Sequence, residues 1–337
     1  MIKNILEKIS KNEFSVKLEE KHLLRLQKYC ESIHLEEKSS HWARRLNHKL
    51  ISFKKNAIIL KNNPSGFDRS YKFKFTNKNI SENYEFYKRL LKRNICNFLG
   101  NFNGIGFNEF KHFDKNWPDG RSYFNIKNII NSNILKYNIQ KIEPFWYFNE
   151  LYKYIKDFKK INYLEIGPGS GDLMSIIKDK ADINQIFTVD LAENIPFSFL
   201  NIITNFPDSS YLLPNEILDE EQIRKYEFIF LNTKQVNLLP FGYFDIAVNT
   251  ASMGEMDKLE IKKYFDYLRK GLKKDNFFLN INRVEKEVFH KNKKEYLRFF
   301  EYPWDENDKN LKYEISNINI GKNVNNAFIK IVKLHTQ

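Results

Sequence analysis

Between Tyr163 and Asp172 the chain reads Tyr-Leu-Glu-Ile-Gly-Pro-Gly-Ser-Gly-Asp, an apolar run that enters a turn with glycine at every second position. Side chains at those positions would keep a ligand away from the backbone, and such a turn demands φ/ψ angles that glycine alone adopts freely. A dinucleotide-binding turn has the spacing GxGxxG, its glycines serving the pyrophosphate. Here the spacing is GxGxG, and Glu165 stands two residues before the first glycine. An acid at that strand end repels a pyrophosphate and suits a cationic ligand carrying an amino group. A second apolar run, Phe187-Thr188-Val189-Asp190, ends in a carboxylate 19 positions after Gly171. An acid at the tip of a second strand can accept both hydroxyls of a ribose. Glycine turn, preceding acid and following acid together are far more specific than any one of them.

From Ile161 onward, short apolar runs alternate with amphipathic stretches, the pattern of a parallel α/β sheet. Strands are expected at 162–166, 185–189, 227–231, 244–249 and 276–282, with helices at 171–180, 193–205 and 257–272. Two further runs, 311–315 and 327–334, have no helix between them and predict a closing antiparallel hairpin.

Residues 161–334 therefore resemble the class I S-adenosylmethionine-dependent methyltransferases, whose first motif, E/DxGxGxG, is matched by Glu165, Gly167, Gly169 and Gly171. Asp190 matches the acid of that family's second strand. The resemblance implies an α/β, Rossmann-like seven-stranded sheet. It also implies S-adenosylmethionine as cofactor, leaving as S-adenosylhomocysteine, with cofactor contacts at Glu165, Gly167, Pro168, Gly169, Gly171, Asp190, Leu191 and Asn249. On this reading the chain divides into a basic, mainly helical accessory or substrate domain, 1–140, and a methyltransferase domain, 141–337.

The segment Phe244 to Met256 is the fourth run and the loop leaving it, which in this fold lies beside the transferred methyl group. Nucleic-acid amino-methyltransferases carry D/N-P-P-Y/F there, whereas this chain has Asn249-Thr250-Ala251-Ser252. That segment, with Asp190 to Asn194 and Asn282-Arg283, resembles the sugar O-methyltransferase family of bacterial surface-polysaccharide gene clusters. The resemblance implies an acceptor hydroxyl on a sugar, free, nucleotide-linked or polymeric, for capsule or lipopolysaccharide synthesis. Ser252, Asn282 and Arg283 are then substrate contacts, Arg283 toward a phosphate of an activated sugar. A sugar hydroxyl benefits from a base that takes its proton as the new bond forms. Glu255 is the first candidate and His290 the second. Glu255 also has a structural reading, as a carboxylate near the N-terminus of the helix that begins at 257.

In the first half the apolar spacing reads as helical, with an early helix marked by Phe14, Val16, Leu18, Leu23, Leu24 and Leu26 and others over 84–98 and 145–158. Loop signals fall at 62–66, 101–106 and 117–120. Residues 1–160 carry a net charge of +16 and residues 161–337 one of −3, within a total of +13. A basic half suits polyanionic partners, or reflects a general enrichment in Lys and Asn. His34, His41 and His48 recur every seven residues without an HExxH pattern, so a metal site is not expected.

Cys30 and Cys96 form no CxxC, no apolar run reaches the roughly 18 residues of a membrane span, and Lys3, Glu7, Lys8, Lys11 and Glu13 break any signal-peptide core. A cytoplasmic location is the expectation. Two other classes stay open: an RNA or DNA methyltransferase whose basic half grips phosphates, with Tyr71 to Phe75 stacking on bases, and a partner protein that keeps the fold without catalysis.

Overall fold

The computed structural model describes residues 13–33, 51–54, 57–61, 143–290, 293–319 and 326–335. The expected helix over 84–98, the loops at 62–66, 101–106 and 117–120, the Tyr71 to Phe75 segment, Cys96, and His34, His41, His48 and His112 lie outside the described residues.

The apolar runs of the second half form one sheet. In chain order its strands are β4 (Ile161–Ile166), β5 (Ile183–Asp190), β6 (Tyr211–Leu212), β7 (Phe228–Asn232), β8 (Phe244–Thr250), β9 (Leu272–Arg283), β12 (Lys309–Asn319) and β13 (Asn326–Lys333). Their lateral order is β12-β13-β9-β8-β4-β5-β7-β6. Strands β4 to β9 pair in parallel, while β13 is antiparallel to both β9 and β12. The expected closing hairpin is present, and the short pair Tyr211–Leu212 brings seven strands to eight.

Helices α2 (Glu143–Ile155), α3 (Asp172–Lys180) and α4 (Ile195–Asn205) cover one face and α6 (Lys258–Gly271) the other, with a single turn, α5 (Glu220–Ile223), before β7. Strands buried on both faces read as continuous apolar runs, and β4 is buried at all six positions. Tyr163 and Ile186 belong to the α2/α3/α4 side, and Leu164 and Phe187 to the α6 side. On the α6 side Phe187 meets Phe244 at 5.1 Å between ring centroids and Phe265 meets Trp304 at 4.8 Å, both edge to face, the geometry that aromatic quadrupoles favour. Arg269 of α6 clasps Asp308 through two hydrogen bonds of 2.7 and 3.0 Å, tying that helix to the segment before β12.

Ahead of this sheet, β1 (Glu13–Lys17), β2 (Ile51–Lys54) and β3 (Ala57–Lys61) form a small antiparallel sheet in the order β1-β3-β2, and α1 is Glu20–Ser32. Phe14 and Val16 therefore correct the expected early helix: they lie on a strand. Two apolar residues spaced by two fit a strand as well as a helix, and the pairing of Phe14 with Leu60 and of Val16 with Ile58 decides it. The described part of 1–140 is mixed rather than helical throughout. A second unexpected feature is the antiparallel hairpin β10 (Glu285–His290) and β11 (Lys293–Arg298) directly after β9.

The chain runs from β4 outward through β5 and β7, then returns to β8 on the other side of β4. The crevice for a ligand in an open α/β sheet opens where strand order reverses, outside the carboxyl ends of the strands. Here that point is the end of β4, between β5 and β8.

Candidate active site

The turn leaving β4 adopts the backbone its glycines permit. Gly167, Gly169 and Gly171 have φ of 69°, 58° and 71°, the left-handed region that costs other residues about 1–2 kcal/mol. They are not equivalent. A Cβ on Gly167 would come within 2.2 Å of Ser252 Oγ, and one on Gly171 within 2.4 Å of Met174 Cε. A Cβ on Gly169 would meet no atom within 4 Å. Gly167 is required by packing, Gly171 is crowded by Ser198 at 3.2 Å beside the movable end of Met174, and Gly169 faces open space.

Beneath the turn lies Glu165, 1% exposed, with Tyr163 Oη donating to its Oε2 at 3.0 Å. Burial pushes its pKa up to about 8, against the pull of the Tyr163 hydrogen bond. Asp190, at the end of β5, is 7% exposed. Its Oδ2 accepts from Gly169 N at 3.0 Å, and its Oδ1 accepts from Leu191 N at 2.7 Å and Asn194 Nδ2 at 3.1 Å. Burial pushes its pKa up to about 6, and these three donors hold it from rising further.

A carboxylate offers about four acceptor positions, so one remains on Asp190. The buried Oδ1 of Asn194 has no hydrogen-bond partner among the described residues. The acceptor position left on Asp190, beside a glycine that leaves room, matches a ligand hydroxyl.

The other wall is the loop leaving β8. Asn249 Nδ2 donates to Ile166 O at 2.8 Å and also to Ser252 Oγ, and Asn249 Oδ1 accepts from Met253 N at 3.2 Å and Asn282 Nδ2 at 2.8 Å. Asn282 Nδ2 bonds Asn280 Oδ1 as well, and its own Oδ1 accepts from Gly254 N at 2.9 Å. Asn249, Asn280 and Asn282 are all fully buried. Their hydrogen-bonding capacity goes into shaping the loop, which carries Ala251 at φ 63°. Ser252 is pressed against the glycine turn and donates to Ile166 O at 3.1 Å. Loop and turn are thereby locked in register.

Past this clamp, Glu255 ends a 3₁₀ turn, Met253–Glu255, and its Oε1 is 2.7 Å from Lys286 Nζ on β10. The helix that follows is capped by Asp257, whose Oδ1 accepts from Glu260 N at 2.9 Å. The Glu255 side chain is 18% and that of Lys286 11% exposed, a pair at the crevice end of the sheet rather than in bulk solvent. Arg283 is the last residue of β9, half-buried, in register with Ala327. His290 ends β10, paired through the backbone with Lys293. Among the described residues, no group of three or more His, Cys, Asp and Glu could hold a metal ion.

Tyr163 and Lys286 carry parts of this geometry that motif reading passes over, and Asn194, part of the Asp190 to Asn194 run, was given no role of its own. Tyr163 sits among the apolar residues of a strand, and Lys286 stands in a charged stretch with no apolar run.

An open sheet in this order, with an antiparallel last pair, an acid–glycine turn after its first parallel strand and an acid at the end of the second, has the architecture of a class I S-adenosylmethionine-dependent methyltransferase. S-adenosylmethionine would fit this set of groups: a ribose hydroxyl would supply the donor for the position left on Asp190, and its cationic end would suit Glu165.

No protein-family model matches the chain, and no curated protein does. Among solved structures the chain is similar to YcgJ from Bacillus subtilis, at 16% identity and a TM-score of 0.31, over 41% of this chain and 51% of that one. It is also similar to the 1,6-didemethyltoxoflavin-N1-methyltransferase of Burkholderia thailandensis with bound S-adenosylhomocysteine, at 13% identity and a TM-score of 0.40, over 57% and 77%. A third is the TehB-like SAM-dependent methyltransferase of Corynebacterium glutamicum, at 10% identity and a TM-score of 0.32, over 52% and 81%. The match to YcgJ spans about half of that protein's length. These are likenesses of fold.

Proposed function

We propose that the chain is an S-adenosylmethionine-dependent O-methyltransferase whose acceptor is a sugar hydroxyl, free or nucleotide-linked, of the kind used in bacterial surface-polysaccharide synthesis. The observation that carries the acceptor class is the Glu255–Lys286 pair, with Oε1 and Nζ 2.7 Å apart at the end of the loop that leaves β8. A hydroxyl both donates and accepts. A carboxylate and an ammonium side by side offer both partners to one hydroxyl, or one to each of two neighbours on a sugar ring. The cofactor supplies an electrophilic methyl group on a sulfonium. What remains for the chain is alignment of the acceptor oxygen with that carbon and removal of the hydroxyl proton, the task assigned to the Glu255 carboxylate. Lys286 fixes the carboxylate through Oε1, and Arg283 is assigned to a phosphate of the activated sugar. His290 is the second candidate base. The loop sequence Asn249-Thr250-Ala251-Ser252, without the paired prolines of the nucleic-acid amino-methyltransferases, speaks against N-methylation of a base.

Incubation with labelled S-adenosylmethionine and a panel of nucleotide sugars, surface glycans and RNA, read by mass spectrometry, tests the assignment. Label is expected on a sugar oxygen. Glu255→Gln is expected to lower kcat by roughly 10²- to 10⁴-fold with cofactor affinity unchanged. A loss below about threefold removes Glu255 as the base, and label on RNA but on no sugar overturns the acceptor class.

A further inference from the structure

Helix α1 precedes the methyltransferase sheet by more than a hundred residues, yet it is bound to the loop that holds the cofactor-facing acid. Tyr29, 2% exposed, donates its hydroxyl to Ala192 O at 2.9 Å. Ala192 is the second residue after Asp190, between Leu191 and Asn194, the two residues of that loop whose N–H groups hold the Asp190 carboxylate. One turn earlier, Arg25 grips Glu216 with both prongs of its guanidinium, at 2.6 and 2.5 Å, and donates to Tyr211 O at 2.9 Å. The same guanidinium lies 3.9 Å over the Tyr211 ring. His22 Nδ1 is hydrogen-bonded to the Tyr211 hydroxyl. Leu23, Leu26 and Tyr29 are buried in the apolar cluster that contains Ile195 and Phe199 of α4, whereas Leu24, on the opposite side of the helix, is 56% exposed.

Such attachment is more than helix packing needs. The segment from Leu191 to Asn194 belongs to neither β5 nor α4, so its backbone groups must find partners outside a helix or strand. Tyr29 supplies one for Ala192, and the carbonyl it binds lies within the segment that sets the position of Asp190 and Asn194. An element that stabilises one conformation of a binding loop is stabilised in turn by whatever binds that loop, because the coupling is reciprocal.

We propose that α1 is a strap across the ribose end of the cofactor site and that Tyr29 is its positioning residue, so that docking of α1 and binding of the cofactor form one coupled equilibrium. The proposal rests on the cofactor assignment above. The net worth of a hydrogen bond of this kind corresponds to about a 2- to 10-fold change in an equilibrium constant.

Two measurements on the full chain with S-adenosylhomocysteine as the probe test it. Hydrogen exchange of the amides of 20–32 is expected to slow several-fold when the probe is added. Calorimetry is expected to show that Tyr29→Phe, which keeps the ring and loses the hydroxyl, binds the probe about 3- to 10-fold more weakly than wild type. Arg25→Lys, which keeps the charge and loses the fork, is expected to weaken binding in the same direction and serves if Tyr29→Phe does not fold. Leu24→Ala, on the exposed side, is expected to bind as wild type does. Unchanged exchange in 20–32 on adding the probe, or affinities of both strap variants within twofold of wild type, would overturn the strap while leaving the cofactor assignment intact. Failure of the wild-type chain to bind the probe would overturn both.

Discussion

Glu165 is held where a carboxylate is costly. It is 1% exposed, accepts from a tyrosine hydroxyl two residues away, and burial pushes its pKa from 4.5 up to about 8, with Asp190 and Asp172 adding in the same direction. The folded chain without ligand therefore binds this proton more tightly than the unfolded chain does. Where the folded state holds the extra proton, stability falls as pH rises. For Glu165 that window runs from about 4.5 to about 8. Gln keeps an acceptor for Tyr163 and does not titrate. Glu165→Gln is accordingly expected to be more stable than wild type at pH 8, by an amount on the order of a few kcal/mol, with the gap closing toward pH 4.5. Thermal unfolding across that range measures it, and a gap that widens as pH falls would show the opposite linkage. A cationic ligand bound nearby would favour the charged carboxylate. Affinity for such a ligand therefore rises with pH up to about 8.

Glu165 and Asp190 were legible in the sequence because each is an acid at or next to the end of an apolar run. Lys286 was not, because its partner lies in another element: a lysine in a polar stretch has no signature until a second strand or loop faces it.

At the scale of elements, the glycine turn after β4 and the loop after β8 fit into one another. Gly167 would place a Cβ 2.2 Å from Ser252 Oγ, while Gly169 has nothing within 4 Å. Gly167→Ala combines overpacking with an unfavourable φ and is expected to cost on the order of 3 kcal/mol. Gly169→Ala carries the φ penalty alone, about 1–2 kcal/mol. Chemical denaturation of the two variants checks the order, and equal losses would mean that the turn and loop do not interlock. The turn itself was readable from glycine spacing, and the strands of the sheet from runs such as Tyr163 to Ile166. The hairpin of β10 and β11 was hidden, since its 285–290 and 293–298 stretches are dominated by charged residues and only Val288, Phe289, Tyr296 and Leu297 hint at a strand. The strand at Phe14 and Val16 was misread because its partner, β3, lies more than forty residues away.

For the molecule as a whole, the order of strands matters more than any single one. The reversal at β4 puts the ends of β4, β5 and β8 together, and with them Glu165, Asp190 and the asparagine clamp of Asn249 and Asn282. The basic residues of the first half, by contrast, imply no geometry by themselves: charge gives a class of partner, not a site. Helix α1 is joined to the sheet by Arg25 on Glu216, His22 on Tyr211 and Tyr29 on Ala192, with Leu23 and Leu26 buried in the shared apolar cluster. No described helix is long and apolar enough to cross a membrane.

Everything proposed about the chemistry depends on the crevice at the end of β4 taking the cofactor. Calorimetric titration of the full chain with S-adenosylhomocysteine, alongside Gly169→Ala and Asp190→Asn, tests that directly. Wild type is expected to bind one equivalent saturably, and both variants, checked for folding by circular dichroism, to lose at least about tenfold in affinity: one because its new methyl group enters the ligand's space, the other because the amide cannot offer the same acceptors. Absence of binding to folded wild type, or the same affinity in all three proteins, would contradict the assignment.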